Sequence, residues 1–429
     1  MEEILQKLEQ VIFGLPLMLI LLFTHIYFSI KLKFPFRKIF SVLRKEISYN
    51  DRKGEITPIK SLMTVLAGTL GTGNIIGIAS AVIIGGAGSI FWIFVSGILA
   101  IATKYAETYI VLKYRKRKNN KYIGGAMYIL DEVLYKKKLA KIFAIFLIFS
   151  CLTMGAMMQS NSVYSTCKSV ILLDSKIVAT SVTLLAGYII FGNEKRIAKA
   201  SSILVPLATI MYLVCSILLI MHYNVDVIMA INVIIKSAFD FKSALGGIVG
   251  SSMIIALREG LSKGLFTNEA GMGTSPIFDI NVETESIVKQ SIISSSSVFI
   301  DTVVLCTITG IIYVASGLYE NIQDAAELSN MVFGQLKYGE YFLSFFLSIF
   351  AFSTIPCSCY YGWSAVNYIF NNKKIYEVIY KLVFLVFVFI GANMNIQIVL
   401  SLATIANIFL MLPNIYMIFK LRKDITLED

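Results

Sequence analysis

Residues 66–89 read LAGTLGTGNIIGIASAVIIGGAGS. The stretch lies in a chain that is 57% hydrophobic, within a run of the length a membrane span requires, about 20 residues. Yet Gly68, Gly71, Gly73 and Gly77 crowd around Asn74, with Thr69 and Thr72 among them. Each glycine weakens a helix by about 1 kcal/mol relative to alanine. A polar amide in hydrocarbon adds a further penalty. A membrane helix with such a middle calls for a physical reason.

The rest of the chain sets the context. Its 429 residues are only 15% charged, against about a quarter in a soluble domain, and the mean hydropathy is +0.75. Apolar runs of span length recur from end to end, without the ~10-residue alternation of a membrane barrel. The fold class expected is an all-α polytopic membrane protein with about eleven transmembrane helices. They fall at roughly 11–31, 60–84, 89–112, 140–166, 174–191, 201–221, 246–278, 288–316, 341–369, 375–392 and 395–419. The first run has acidic residues before it and no small-residue cleavage site, so it reads as a retained helix rather than a signal peptide. The six cysteines lie in or beside apolar segments, with no C-x-x-C pair, and read as small core residues. His25 and His222 are far apart and suggest no metal site.

The net charge of +11 is unevenly placed. With the N-terminus outside, the inside segments carry 28 Lys and Arg and the outside segments 6. The positive-inside rule therefore puts the N-terminus outside and the C-terminus in the cytoplasm. The runs KYRKRKNNK and YKKKLAK become topology signals that also meet membrane lipid, with no call for nucleic acid. VDVIMAINVIIKSAF and ENIQDAAELSNMVF read as helices lying at the outer surface, and FPFRKIFSVLRKEI as an interfacial amphipathic stretch.

A second stretch shares the oddity of the first: REGLSKGLFTNEAGMGTSP, residues 258–276. With the first helix set aside, ten remain, and the two glycine-rich ones are the first and the sixth. Five helices separate their starts, so the halves insert with opposite topology. Interrupted segments at corresponding places of two inverted halves mark a secondary transporter. The expected organisation is 1–59 as N-terminal helix and basic loop, 60–245 as the first repeat, and 246–429 as the second. A broken helix frees N–H and C=O groups in the bilayer, which is tolerable where they line a cavity and find a ligand. Freed N–H groups suit a carboxylate, and freed carbonyls suit an ammonium group or Na⁺. The competing explanation is close packing through small residues, which Gly73 and Gly77 alone would satisfy. Packing does not call for Asn74, Asn268 or Glu269. Gly97, by contrast, reads as a packing glycine that accepts alanine.

At these residues a resemblance becomes specific. GTLGTGNIIGIASAVIIGGAGSIFWIFVSG, TKYAE, KYIGGAMYIL, MMQSNSV, GLSKGLFTNEAGMGTSP, FIDTVVLCTITG and FAFSTI follow in the order seen in the alanine-or-glycine:cation symporter family, over residues ~55–370. The chain is similar to that family (sodium:alanine symporters), whose fold is of the leucine-transporter type with a five-plus-five inverted repeat. The resemblance implies Na⁺-coupled import of small neutral amino acids by alternating access, in a bacterial-type plasma membrane. Na⁺ is then a co-transported ion, no organic cofactor is implied, and the oligomeric state is left open, a monomer included. It further implies Thr72, Gly73 and Asn74 at the first break. Phe266, Thr267, Asn268 and Gly271, with Glu269 beside them, belong to the second, and Gln159 faces the same cavity. The implied Na⁺ ligands are the carbonyls of Ala67 and Leu70 and the hydroxyls of Ser353 and Thr354.

After FAFSTI the family usually continues LGWSYYGE, whereas residues 356–363 read PCSCYYGW. Ser358 in place of the tryptophan implies room for a substrate larger than alanine, and Pro356 a kink. Three other polar groups stand out. Lys104 and Glu107, three apart, are placed to pair on one helix face. Arg258, Glu259 and Lys263 flank the second break. Asp301 is a buried acid with either an internal basic partner or a proton. Titration of Asp301 or of Glu269 gives the alternative reading, a proton-coupled transporter of a larger neutral amino acid. A channel would need a continuous polar stripe, and a zinc-dependent enzyme a motif such as HExxH. The sequence has neither, and an enzyme is not expected.

Overall fold

The computed structural model describes residues 15–48, 56–118, 121–170, 174–223, 227–240, 252–284, 286–394 and 396–428. Helix α1, Leu15–Lys31, ends in a turn where Lys33 and Phe34 take left-handed conformations. The chain leaves it at 69° as the amphipathic α2, Phe36–Ser48. An ion pair of 2.8 Å from Lys289 to the buried Glu46 anchors α2 to the helix bundle.

The first glycine-rich stretch is broken. Thr57 caps α3, Pro58–Thr69, by accepting from the Lys60 N–H, and Pro58 opens the helix where its missing N–H costs nothing. Leu70 and Gly71 are extended. A single 3₁₀ turn, Thr72–Asn74, leads into α4, Ile76–Gly85, and the two halves meet at 70°. Helix α5, Gly88–Tyr114, runs through the centre, and every residue from Ala100 to Leu112 is buried.

A short antiparallel hairpin follows, β1 (Lys116–Lys118) against β2 (Lys121–Ile123). The sequence marks this stretch only by its charge. Next come α6 (Ala126–Glu132), α7 (Lys137–Ser150), α8 (Gln159–Val170), α9 (Ser175–Ile190) and the long α10 (Asn193–His222). α11, Val227–Ala238, is the first of the two expected surface helices.

The second glycine-rich stretch is broken too. α12 covers Ser252–Asn268, and after seven irregular residues the one-turn α13 covers Pro276–Asp279. Gly271 (φ 99°) and Gly273 (φ 69°) adopt backbone that a side chain disfavours, which is why glycine stands there. Glu269 takes φ 53° without that freedom, a strained geometry of the kind concentrated at functional sites. The chain continues through α14 (Ile287–Val298), α15 (Thr307–Ser316) and α16 (Ala325–Phe333), the second surface helix. It ends with α17 (Gly339–Ile369), α18 (Lys374–Gly391) and α19 (Ile396–Lys420).

Two π-helical segments, Cys151–Met158 between α7 and α8 and Phe299–Cys306 between α14 and α15, have no counterpart in the sequence reading. Such bulges recur at functional sites. α17 runs on as one helix across Pro356.

Among the described residues six helices are long and apolar enough to cross a membrane, or eight if each bent pair is one span. The other expected spans are helices as well, short in α9 and charged in α12 and α18. Residues 11–14, 246–251 and 395 of the expected spans lie outside the described residues.

Gly97 corrects an expectation. A Cβ there would come within 2.9 Å of Thr302 Cγ2 and 3.1 Å of Val303 Cγ2, so α5 and the second π segment touch with no room for a methyl. Overpacking of this kind costs about 1–3 kcal/mol. Gly97→Ala should therefore lower the melting temperature of the detergent-solubilised protein. An unchanged melting curve would mean that the two elements can move apart freely.

Candidate functional site

At the first break, the end of α3 leaves carbonyls without helical partners. Thr354 reaches them from α17. Its hydroxyl lies 2.8 Å from the Ala67 carbonyl, 3.2 Å from that of Leu70 and 3.0 Å from Phe350 O on its own helix. Ser353, next to it, keeps its hydroxyl on its own helix, donating to Phe350 O at 2.8 Å. Three of the four expected ion ligands thus converge, and the Ser353 hydroxyl does not join them.

Asn74 turns back on the break and away from it at once. Its Oδ1 accepts from the Gly71 N–H at 3.1 Å. Its Nδ2 donates to the carboxylate of Asp301 in the second π segment and lies 3.3 Å from Cys306 Sγ. Asp301 is fully buried, and Thr302 Oγ1 donates to its other oxygen at 3.0 Å. An amide and a hydroxyl hold this acid, not the basic side chain that was one expectation for it. Thr72 meets Ser162 of α8 at 3.3 Å. One turn before Ser162, Gln159 lies beside Gly71, its Nε2 donating to Met154 O at 3.3 Å. Its Oε1 is buried without a partner. A Cβ at Gly73 would lie 3.6 Å from Thr267 Cγ2, so the two breaks face each other there. Thr267 also meets Thr302 at 3.1 Å. Thr72, Gly73, Asn74, Gln159 and Thr267 are therefore gathered around one point. The side chain of Phe266 lies outside the described residues.

Asn268 and Gly271 are placed differently. Asn268 Oδ1 accepts from the Ala270 N–H at 2.9 Å, and its carbonyl accepts from the buried Lys104 ammonium at 3.3 Å. The Gly271 and Gly273 N–H groups donate to Glu107 Oε1 at 2.8 and 3.2 Å, and Asn414 of α19 donates to the same oxygen. Glu269 accepts from Thr274 at 2.6 Å. Lys104 and Glu107 do not serve as a simple pair on one helix face. Each reaches across to the second break, a cation on a freed carbonyl and an anion on freed N–H groups. Arg258 and Glu259 pair at 3.8 Å, with Arg258 half exposed.

Below the second break, Asp279 is fully buried at the end of α13. It accepts from Ser61 of α3 at 2.8 Å and from Gln290 and Ser294 of α14 at 3.0 and 2.5 Å. The network ties the lower halves of both broken helices together.

Sequence reasoning missed Ser162, Thr302 and Asn414. Ser162 was within reach, because it follows Gln159 by one helical turn and shares its face. Asn414 carries no local signal, since its partners lie more than a hundred positions away. The space expected at Ser358 is filled. A Cβ on Gly155 would fall 2.2 Å from Ser358 Cβ, so the first π segment closes on α17 where a tryptophan would have stood.

The sequence profile described as "Sodium:alanine symporter family" matches residues 1–428. The chain is 33% identical over 432 residues to a sodium/alanine symporter, AgcS, of Methanococcus maripaludis, covering 96% of this chain and 93% of that one. It is 30% identical over 433 residues to a probable sodium/glutamine symporter, GlnT, of Bacillus subtilis, covering 99% and 89%. The solved structure of MhsT in complex with L-phenylalanine superposes with a TM-score of 0.62 at 13% identity, covering 86% of this chain and 90% of that one. That likeness concerns the fold alone. A profile that spans the chain and relatives aligned nearly end to end make it a transporter and not an enzyme, and the chain belongs to the sodium:alanine symporter family.

Proposed function

We propose that this protein imports a small neutral amino acid together with Na⁺, and that both bind where the two broken helices face each other. The observation that carries the reading is the meeting of the Ala67 and Leu70 carbonyls with the Thr354 hydroxyl. Na⁺ is a hard cation that takes oxygen ligands. Here two freed carbonyls and one hydroxyl come from two different helices. The hydroxyl proton has an alternative acceptor in Phe350 O at 3.0 Å. Rotating the proton there turns the Thr354 lone pairs toward the arriving ion. Bound Na⁺ then links α3 to α17, while leaving the ion free to depart once those helices separate.

The amino acid is assigned to the neighbouring space. Thr72, Gly73 and Asn74 offer it freed backbone, and Gln159 Oε1 is an unsatisfied acceptor suited to an ammonium group. Gly271, whose N–H is already taken by Glu107, supports the second break rather than touching the substrate. Residues 60–245 and 246–429 form the two inverted repeats, and the lysine-rich end of the molecule faces the cytoplasm. Alternating access needs the lower halves, α3 and α13, to swing away from α14. The bonds from Gln290 and Ser294 to Asp279 are the contacts that this motion breaks. The site leaves the identity of the side chain open, alanine or larger.

A second reading has one observation in its favour. Among the described residues no basic side chain pairs with Asp301. A buried acid of this kind can carry a proton through the cycle.

Three measurements test these assignments. Thr354→Val should raise the Na⁺ concentration for half-maximal uptake about tenfold, since one lost polar partner is worth about 1–3 kcal/mol. Ser353→Ala should shift it far less. Unchanged Na⁺ dependence in a folded Thr354→Val protein would remove the ion from this position. Gly73→Leu should abolish uptake by filling the gap toward Thr267, whereas normal uptake would make the first stretch a packing face. Asp301→Asn, neutral at every pH, separates the two couplings. Proton coupling predicts uptake that no longer responds to a pH gradient, and Na⁺ coupling predicts no pH-driven component even before the substitution.

A further inference from the structure

A cavity of about 390 Å³ opens at the lysine-rich end of the molecule, apart from the central site. It lies between the β-hairpin, the start of α10, the lower end of α17 and the start of α18. Two of its wall residues connect it to the transport path. Tyr360 stands six residues below Thr354 on α17, about 9 Å along the helix axis. Asn281 follows the end of α13. Asn281 Nδ2 donates to Tyr360 Oη at 2.5 Å, and the Phe278 ring meets Tyr360 edge-on with centroids 5.1 Å apart. This contact closes the cavity toward the middle of the protein.

The walls carry both signs of charge. Lys121 lies 3.9 Å from Glu194 on one side. On the other, Glu377 accepts from Asn367 at 3.3 Å and from Lys381 at 2.7 Å. Trp363 lines the space between, its ring 4.9 Å from that of Tyr360. A lone anion or a lone cation would meet a like charge on one of these walls. A zwitterion meets both signs, its carboxylate turned to Lys118 and Lys121 and its ammonium to Glu194 and Glu377, with amides and aromatic rings for a neutral side chain. The volume falls in the range of small-molecule sites, about 300–1,000 Å³, and exceeds what alanine alone would fill.

We propose that this cavity is a second binding site for a neutral amino acid, on the cytoplasmic side of the central one, with the Asn281–Tyr360 contact as the partition between them. The assignment rests on the transport reading for its ligand and its orientation. An amino acid released inward pauses there, and an amino acid accumulated in the cytoplasm occupies it and opposes further release.

The chain has two tryptophans, Trp92 and Trp363, so Trp92→Phe leaves Trp363 as a reporter inside the cavity. The purified Trp92→Phe protein is titrated with L-alanine and with the larger L-glutamine, alone and in combination with Gly73→Leu. The expected result is a saturable change in Trp363 emission that survives Gly73→Leu, in a protein whose uptake is lost. Asn367→Ala should raise its half-saturating concentration at least fivefold. Ser364→Leu, which narrows the cavity without touching the Asn367–Glu377 contact, should do the same. An emission change that vanishes with Gly73→Leu, that ignores both cavity variants, or that never occurs overturns the proposal. A signal that meets every expectation in a protein that accumulates no amino acid would uphold the cavity and refute the transport reading instead.

Discussion

Everything in this protein depends on how the backbone groups released at two helix breaks are satisfied. A bilayer offers them no water, and each unsatisfied group there costs several kcal/mol. The second break is braced from within, although Glu107 Oε2 and Asn414 Oδ1 keep no partner of their own. Lys104 meets a freed carbonyl and Glu107 meets two freed N–H groups, with Asn414 steadying the carboxylate. Both charged residues come from the stretch Ala100–Leu112 of α5, where every residue is buried, so the brace is fixed deep inside the molecule. Two opposite charges in one apolar interior are tolerable because each lies against the end of a broken helix that offers polar groups of the opposite sign.

The first break is satisfied only in part, and there lies the functional contrast. Thr354 provides a single hydroxyl for two carbonyls, and Gln159 leaves an oxygen without a partner beside Gly71. A break braced by two charged side chains beside one held by a single hydroxyl is an arrangement that a ligand can finish. Binding energy gained there is available to shift the equilibrium between conformations, which is what coupling ion to substrate requires. The Asp279 network holds the lower halves to α14 with neutral donors on a buried acid, and among the described residues no salt bridge of Asp279 has to be broken for them to leave it.

Both breaks were legible in the sequence, because glycine and asparagine in an apolar run contradict the needs of a membrane helix. Helices α2, α11 and α16 were legible as helices outside the long apolar runs. The π segments were not, because a bulge of one residue alters no hydropathy pattern. Nor was the hairpin at Lys116–Ile123, where charge conceals a weak alternation. Lys104 and Glu107 show the limit most clearly. Their spacing shows that they share a helix face, but their targets at Asn268, Gly271 and Gly273 are tertiary neighbours. Ser358 misleads in the same way. A small residue suggests space until Gly155 is seen to fill it. Sequence periodicity reports what a helix contains, and contacts between helices appear only when the helices are packed.

The most direct test of the central claim is concentrative uptake by the purified protein in proteoliposomes. Labelled alanine is supplied outside, with Na⁺ outside and K⁺ inside at equal pH. Two-gradient coupling through the paired breaks predicts accumulation above the external concentration, which decays when a Na⁺ ionophore collapses the gradient. Uptake that never exceeds equilibrium, or accumulation that follows a pH gradient with Na⁺ absent, would contradict it.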